Sequence, residues 1–479
     1  MIQGFKKALE VFRNASLKVP AYKALLRKEK IHPDSIQTLK DFEKLPIIDK
    51  RSYIYKYFLE DLVPSKKIPP MAYASSGSSG KPTFWFRDDA SEERGGQAHE
   101  LIFRNIFQIK KTDPTLVIVC FSMGVWIAGN YTLAACRNIA RKGYMITTIT
   151  PGIEKEDILH ILKHTVPNFK NVIIAGYPPF LMDVFQEAQR KHIPLHTNLK
   201  ILTAGDTFSE NWREDVAKLL NIKNSYESLE NLYGCAEAGI LGFETPPSIF
   251  LRKNAEKNKE LYKELFGEAE NLPGLFQYNP EHVFFEEDNG ELLLTVPTAA
   301  PLIRYNIHDI GKVFSHNDIQ NILKKYRLEE KSKQRDFGQW NMPFVVVKGR
   351  TDVAVTFYAL NIFPENIKAG VEDRTISRFL SGNFFAYNKT INHSKIQKLY
   401  MNFELAPGVK PNKAIIQAIR KTIAEKLIKL NMEFRKLYSI LGEKALPFII
   451  LKEYGTSHFQ QKDIRGILNI KGKKPKMSS

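Results

Sequence analysis

Three cysteines in 479 residues, Cys120, Cys136 and Cys235, with no C-x-x-C pair, argue against a disulfide framework or a cysteine-built zinc site. That scarcity fits a reducing compartment, and a cytoplasmic location is the expectation. No apolar run approaches the roughly 20 residues that cross a bilayer, so no membrane span is expected. The opening stretch MIQGFKKALEVFRN is amphipathic and lacks the unbroken apolar segment of a signal peptide. Acidic residues are outnumbered by basic ones, 52 against 70, leaving a formal charge of +18. This excess favours an anionic partner: nucleotide phosphate, coenzyme A, nucleic acid or an acidic membrane surface. The charge is dispersed over lysine-rich helices instead of an arginine- and aromatic-bearing stripe, so no nucleic-acid partner is expected. The dense basic cluster IKGKKPKMSS reads as a solubilising tail. A Walker-type G-x-x-x-x-G-K-[ST] loop is also missing, as is a convincing Ser-His-Asp or Cys-His arrangement.

What is present suits an ordinary soluble core, with 43% hydrophobic and 25% charged residues and length for two or more domains. Residues 1 to about 70 alternate short helical patterns with Pro20, Pro33 and Pro46. From Leu116 the apolar runs TLVIVCF, YMITTI, NVIIAG and LKILTAGD alternate with helical stretches at 154–164, 179–191 and 209–220. That alternation predicts an α/β fold with a largely parallel sheet. The charge-rich stretch 251–271 is expected to be a solvated helical insertion, and NDIQNILKKYRLEEKSKQRDFGQW a second polar one. GELLLTVPT and MPFVVVKGR read as later strands. Beyond Gly349 come short strands and one long amphipathic helix, Lys413 to Tyr438. The boundary placed there gives domains 1–348 and 349–479, with no internal repeat.

Chemistry enters with YASSGSSGKPTFW, Tyr73 to Trp85, four serines and two glycines ahead of Lys81. Apolar flanks make it a strand–turn–strand loop. Glycines admit a ligand close to the backbone, N–H and hydroxyl groups cradle phosphate, and Lys81 adds charge. A flexible Gly/Ser hairpin has the same composition. LTAGDTF ends a strand in Ala204-Gly205-Asp206, at the strand end where α/β sheets bind ligands. ENLYGCAEAGI carries Tyr233, Gly234 and Glu237, a ring to stack on adenine and a carboxylate for Mg²⁺. PLIRYNIHDIG supplies Asp309 for ribose hydroxyls, and VKGRTD supplies Arg350 for ribose or phosphate. Taken singly, Tyr233 is equally a core tyrosine and Asp309 a turn residue.

In order along one chain, these segments resemble the adenylate-forming superfamily of acyl-CoA synthetases, and within it the phenylacetate–CoA ligase family. The likeness extends from VPAYKALLRKEKIHPDSIQTLKDFEKLPIIDK, similar to the family's opening helices and its LEDLxxLPxxxK segment, to GRTDVAVTFYALNIFPENI, similar to its hinge motif. The resemblance implies a large N-terminal adenylation domain with mixed and parallel sheets and helices, and a small mobile α+β C-terminal domain. It implies that Ser75, Ser76, Gly77, Ser78, Ser79, Gly80 and Lys81 hold the β- and γ-phosphates of ATP. Tyr233 and Gly234 would meet adenine, with Ala204, Gly205 and Asp206 beside the ring. Glu237 would hold Mg²⁺, Asp309 and Arg350 the ribose, and Asp352 would be the hinge. Lys462 in FQQKDIRGILNI would be the adenylation lysine, with Arg465 in reserve. By family position, 120–131 and 175–184 would line the acyl pocket, where Phe121, Trp126 and Tyr177 suggest an apolar or aromatic acid; core packing explains these aromatics equally well. The implied reaction activates a carboxylic acid with ATP to an acyl-adenylate and pyrophosphate, then transfers the acyl group to coenzyme A with release of AMP. A homodimer is left open.

Several positions depart from the family pattern. Ala236 replaces a hydroxyl residue before Glu237, removing a hydrogen bond worth about 0.5–1.5 kcal/mol. Tyr305-Asn306-Ile307-His308 alters the supports of Asp309, and Ala359 stands where the family has a glycine near the incoming thiol. The family's cysteine-bearing segment before the hinge has no counterpart. These departures keep open an amine, hydroxyl or carrier-protein thiol as acceptor. A further alternative is a basic nucleic-acid- or membrane-associated protein that kept the fold and lost catalysis.

Overall fold

The computed structural model describes residues 4–75, 83–195, 198–269, 272–333, 340–350, 355–358, 360–390 and 397–455. The chain divides into two compact units, the first holding Met1–Ala74 and Phe84–Arg350 and the second Ser75–Thr83 and Thr351–Ser479. In the first, β1 (Met71–Ser75) and β2 (Thr83–Arg87) pair as a small sheet flanking the serine–glycine segment. Eleven strands build one large sheet: β3 (Thr115–Cys120), β4 (Ile146–Ile149), β5 (Asn171–Gly176), β6 (Leu199–Ala204), β7 (Leu229–Cys235), β8 (Gly239–Phe243), β9 (Gly274–Gln277), β10 (Phe284–Asp288), β11 (Glu291–Val296), β12 (Leu302–Phe314) and β13 (Phe344–Arg350). Their order is β10-β11-β12-β13-β9-β8-β7-β6-β5-β3-β4.

The sheet is parallel from β4 to β7 and antiparallel from β7 to β10, so the parallel pattern read from the sequence holds for one half. The difference lies in the connections. Helices Lys155–His164, Pro178–Arg190 and Glu210–Leu219 carry the chain back between parallel strands. β10 and β11 are instead joined by the tight turn Asn289-Gly290, both at positive φ. Along β3 and β5 alternate residues pack on opposite faces. Leu116, Ile118, Val172 and Ile174 meet those three helices, while Val117, Val119, Ile173 and Ala175 meet Ile102–Ile106 and helix Ile127–Arg141. Each such buried aliphatic contributes about 1.5–3 kcal/mol. Both faces being covered, functional groups are left to the strand ends, where Tyr177, Asp206 and Glu237 follow β5, β6 and β7.

The charge-rich stretch 251–271 is not a solvated insertion. Helices Pro246–Ala255 and Lys259–Phe266 bury Leu251, Ala255, Leu261 and Leu265 in a cluster with Leu275, Phe344 and Val346 of β9 and β13. The pairs lie four residues apart, one face of a helix; Lys257, Lys259 and Lys263 stay exposed, while Arg252 is buried in an ion pair. The second polar stretch likewise folds as helix His316–Lys325, which buries Ile319, Ile322 and Leu323.

In the second unit β14 (Val355–Phe357) pairs with β15 (Leu360–Ile362). A further sheet orders β16 (Leu380–Thr390), β17 (Gln397–Leu405) and β18 (Phe448–Lys452), antiparallel then parallel. The expected single helix from Lys413 to Tyr438 is two, Lys413–Leu430 and Met432–Leu441. Asn431 breaks it: its side chain caps the second helix at Phe434 N (2.9 Å) and donates to the Asn361 carbonyl (2.9 Å), which a helical asparagine would not do. Among the described residues no helix is long and apolar enough to cross a membrane.

β7, the strand that leads to Tyr233 and Glu237, is anchored by a buried charge network. Arg213 pairs with Glu210 (2.7 Å) and Glu244 (2.8 Å), Arg252 with Glu244 (2.5 Å), and Arg213 also donates to the Leu229 carbonyl. Glu230 on β7 is fully buried, and neither carboxyl oxygen has a hydrogen-bond partner among the described residues. Burial, with Glu244 nearby, pushes its carboxyl well up, so the folded state keeps it protonated. Above the ordinary carboxylate range the unfolded chain loses this proton while the folded chain retains it, so Glu230 costs stability increasingly as pH rises. Glu230→Gln is therefore expected to melt above wild type at pH 7.5, by on the order of 2 °C, with the gain vanishing toward pH 4.5; thermal melts across that range test it.

Candidate active site

β7 and β8 are antiparallel with a bulge between Tyr233 and Gly234. A Cβ at Gly234 would lie 2.6 Å from the Gly239 carbonyl oxygen, so glycine is required at this crossing. The turn between the strands carries Ala236 and Glu237. Arg87 of β2, almost wholly buried, donates to the carbonyls of Ala236 (2.5 Å) and Glu237 (2.9 Å) and fixes the turn from below. The Glu237 side chain is only 5% exposed and its Oε1 lies 2.6 Å from Lys50 Nζ. Burial pushes the carboxyl up, but Lys50, with Arg350 behind it, more than offsets this, and Glu237 sits below the usual carboxylate range. For Lys50 burial works the other way and is likewise outweighed by Glu237. Both groups are charged, and Lys50 also lies 5.6 Å from the Trp85 ring centroid.

Sequence reasoning named Glu237 but neither Lys50 nor Arg87, the residues that hold it. Lys50 closes the LPIIDK segment, whose leucine, proline and lysine match the family's opening motif; that was the available signal. Its placement comes from β12. Ile48 pairs with Tyr305, with Ile48 N donating to Arg304 O (3.2 Å) and Asn306 N to Ile48 O (2.8 Å). The Arg304 guanidinium donates to the carbonyls of Glu43 (2.5 Å) and Leu45 (2.6 Å) and to Glu286 (2.9 Å). Asn306, one of the departures from the family pattern, thus has a structural duty: its Nδ2 bonds Glu291 (2.7 Å) while its Oδ1 accepts from His308 N (2.6 Å).

Asp309 and Arg350, 41 positions apart in sequence, face each other across the β12–β13 ladder, with Nε 3.7 Å from Oδ1. The Tyr233 hydroxyl donates to Asp309 Oδ2 (2.5 Å), and its buried ring stacks with Phe276 and Phe285 at centroid distances of 5.5 and 6.3 Å. Tyr233, Asp309, Arg350, Glu237 and Lys50 therefore form one electrostatically linked group, since the charge of Arg350 is felt at Tyr233, Glu237 and Lys50.

At the neighbouring strand ends, Gly205 follows Ala204 at φ +95°, a backbone that favours glycine, and turns the chain so that Asp206 meets Tyr177. The Tyr177 hydroxyl donates to Asp206 Oδ2 (3.3 Å), Thr207 N to Oδ1 (2.8 Å), and Asn231 to the Asp206 carbonyl (2.9 Å). Burial pushes the Asp206 carboxyl up to about 6. Phe121 is buried in the apolar cluster beneath the helix Ile127–Arg141, with Val119 and Cys136. Trp126 is half-buried before that helix and bridges Ala74 of β1, whose N–H bonds Val125 O (2.8 Å). Ser75 closes β1. Ser76, Gly77, Ser78, Ser79, Gly80, Lys81, Asp352, Ala359, Lys462 and Arg465 lie outside the described residues.

A magnesium ion fits this donor set in one way. Among the described residues no group of three or more His, Cys, Asp or Glu is placed to hold a metal, so the ion would rest on the ionised Glu237 with phosphate oxygens and water completing its shell.

No protein-family model matches the chain. It is similar to the phenylacetate–coenzyme A ligases of Aromatoleum evansii (22% identical over 363 residues, 74% of this chain and 71% of that one), Pseudomonas putida (22% over 362 residues, 74% and 71%) and Escherichia coli K12 (21% over 363 residues, 74% and 72%). Among solved structures it is similar to 2-hydroxyisobutyryl-CoA ligase in complex with 2-HIB-AMP and CoA in the thioesterification state, with TM-score 0.62, 14% identity, and coverage of 96% of this chain and 88% of that one. The open conformation of that ligase gives TM-score 0.51 at 14% identity, covering 96% and 90%. The chain thus has the fold of this acyl-CoA ligase and is similar along about three quarters of its length to phenylacetate–coenzyme A ligases.

Proposed function

We propose that the chain is an ATP-dependent, AMP-forming carboxylate–coenzyme A ligase acting in the cytoplasm. The observation that carries this reading is an ionised, buried Glu237 in electrostatic contact with a Tyr233–Asp309–Arg350 group, at the strand ends where α/β sheets bind ligands. A carboxylate is a poor acyl donor because oxide is a poor leaving group. In the proposed first step a carboxylate oxygen attacks the α-phosphorus of ATP, the bond to the β-phosphate oxygen breaks, and pyrophosphate leaves. In the second the coenzyme A thiol sulfur, losing its proton, attacks the acyl carbon and AMP leaves. Neither step needs a protein nucleophile. Each needs positive groups and N–H donors where phosphate charge accumulates.

In this reading Asp309 and Arg350 hold the ribose, Ala204, Gly205 and Asp206 border the adenine with Tyr233, and the serine–glycine loop through Lys81 takes the β- and γ-phosphates. Glu237 would hold Mg²⁺, which supplies charge neutralisation on those phosphates. Lys50, at the same carboxylate, fixes Glu237 in its anionic form. Asp352 serves as hinge and Lys462 as the adenylation lysine, with Arg465 in reserve. Cys120, Cys136 and Cys235 are all free thiols, which suits a reducing cytoplasm.

ATP–pyrophosphate exchange across a panel of carboxylic acids, followed by thioester detection with coenzyme A, tests the reading. Exchange with at least one acid and a matching thioester is expected. Exchange without thioester would move the acyl group to an amine, hydroxyl or carrier thiol, and no exchange with any acid would end the reading.

Two further outcomes follow from the geometry. Glu237→Gln should cut exchange about 100-fold or more and lower the melting temperature, because it strands the Lys50 charge. The double variant Lys50→Met/Glu237→Gln should regain the melting temperature but not the exchange; recovery of exchange would contradict the role given to Glu237. Asp206 should ionise as pH rises through about 6, and only its anion offers both oxygens as acceptors, with no competing O–H, beside adenine. The KM for ATP is therefore expected to climb several-fold from pH 7.5 to pH 5.5 in wild type while kcat changes less, and Asp206→Asn should flatten that dependence.

A further inference from the structure

Behind the Glu237 turn lies a cavity of about 100 Å³. One wall is the chain that follows Glu237, Ala238 and Ile240 onward along β8. Tyr131 of the helix Ile127–Arg141 forms its side and is 7% exposed. The Tyr131 hydroxyl donates to the Ser91 carbonyl (3.2 Å), and its ring lies so close to two backbones that a Cβ at Gly95 or Gly239 would fall 2.5 or 2.7 Å from it. The remaining wall mixes apolar residues, among them Leu101 and Val296, with polar ones that include Arg94 and His282.

Arg94 is half-buried and its guanidinium donates to two neutral acceptors, Ser91 Oγ (3.0 Å) and the Pro297 carbonyl (2.5 Å). Among the described residues no carboxylate lies within ion-pair distance of it; Asp88 is linked to it through the Ser91 hydroxyl, which donates to Asp88 Oδ1 (2.5 Å). Burial pulls the Arg94 pKa down, as expected of a cation without a direct counter-charge. His282 is pushed down to about 4 by burial and by the charges of Arg94 and Lys7, so it is neutral at physiological pH and offers hydrogen bonds without adding charge. A guanidinium beside an apolar strand, with only neutral partners, is half of a charge-assisted pair.

We propose that this cavity receives the far end of the acid that the enzyme activates and is built for an anionic one, a second carboxylate paired with Arg94. The inference rests on the ligase reading above and goes beyond it by naming the substrate class. Its dimensions agree: 100 Å³ holds a carboxylate and an adjoining methylene, and the wall residues Ala238 and Ile240 lie one and three positions beyond Glu237.

The test uses full-length enzyme in ATP–pyrophosphate exchange with two series of equal carbon number, straight-chain monocarboxylates and α,ω-dicarboxylates. At the best length wild type should show kcat/KM at least about tenfold higher for the dicarboxylate. Arg94→Met should lose that preference while exchange with monocarboxylates changes less than twofold, and Arg94→Lys, which keeps the charge, should retain most of it. Equal losses in both series on Arg94→Met, or a wild-type preference for monocarboxylates at every length, would overturn the proposal. If neither series supports exchange, the ligase reading is judged by the wider acid panel, and thermal shift decides the site on its own. Stabilisation of wild type by a dicarboxylate, lost in Arg94→Met, then upholds the anion site, and equal shifts or none reject it.

Discussion

A carboxylate taken out of water stays an anion only if a cation is brought to it, and the site depends on Lys50 doing this for Glu237. The requirement reaches far along the chain. Lys50 belongs to the N-terminal helical segment, which must be laid against β12 for the ammonium to arrive, and the Ile48–Tyr305 bridge with the Arg304 guanidinium accomplishes that. β12 also bears Asp309, so one strand positions both the lysine that pairs with Glu237 and the carboxylate that meets Tyr233 and Arg350. Arg87 holds the turn itself, through carbonyls that no side-chain substitution in the turn can remove.

Arg304 has φ +47°, a strained backbone for a residue with a side chain, yet three charge-assisted hydrogen bonds secure it. Its partner Glu286 is pushed up to about 7 by burial, so the clamp is built from a carboxyl poised near neutrality. The glycines serve the same economy of space. Gly234 allows β7 and β8 to cross, and Gly95 and Gly239 leave room for Tyr131 at the cavity behind the turn.

Much of this was legible in sequence because its signals are local. The alternation of apolar runs and helical stretches located the strands and helices of the parallel half, and the ordered segments YGCAE, IRYNIHDIG and VKGRTD named Tyr233, Glu237, Asp309 and Arg350. What escaped depends on long-range placement. Nothing in the neighbourhood of Lys50 or Arg87 marks them as partners of a turn 187 and 150 positions away, since no period or spacing encodes a contact made by strand addition. The packing of 251–271 and the break at Asn431 were missed for a related reason. High charge conceals the short apolar face of each helix, and an asparagine inside an amphipathic pattern does not disclose that its side chain will be spent on a cap and a carbonyl.

The central claim is that a substrate carboxylate attacks the α-phosphorus of ATP at this site. The most direct measurement supplies the preferred acid with both carboxyl oxygens labelled with ¹⁸O, together with ATP, Mg²⁺ and coenzyme A, and reads the products by mass spectrometry. The account predicts AMP carrying one ¹⁸O and a thioester carrying the other. Unlabelled AMP, or ADP with the label in inorganic phosphate, would contradict it.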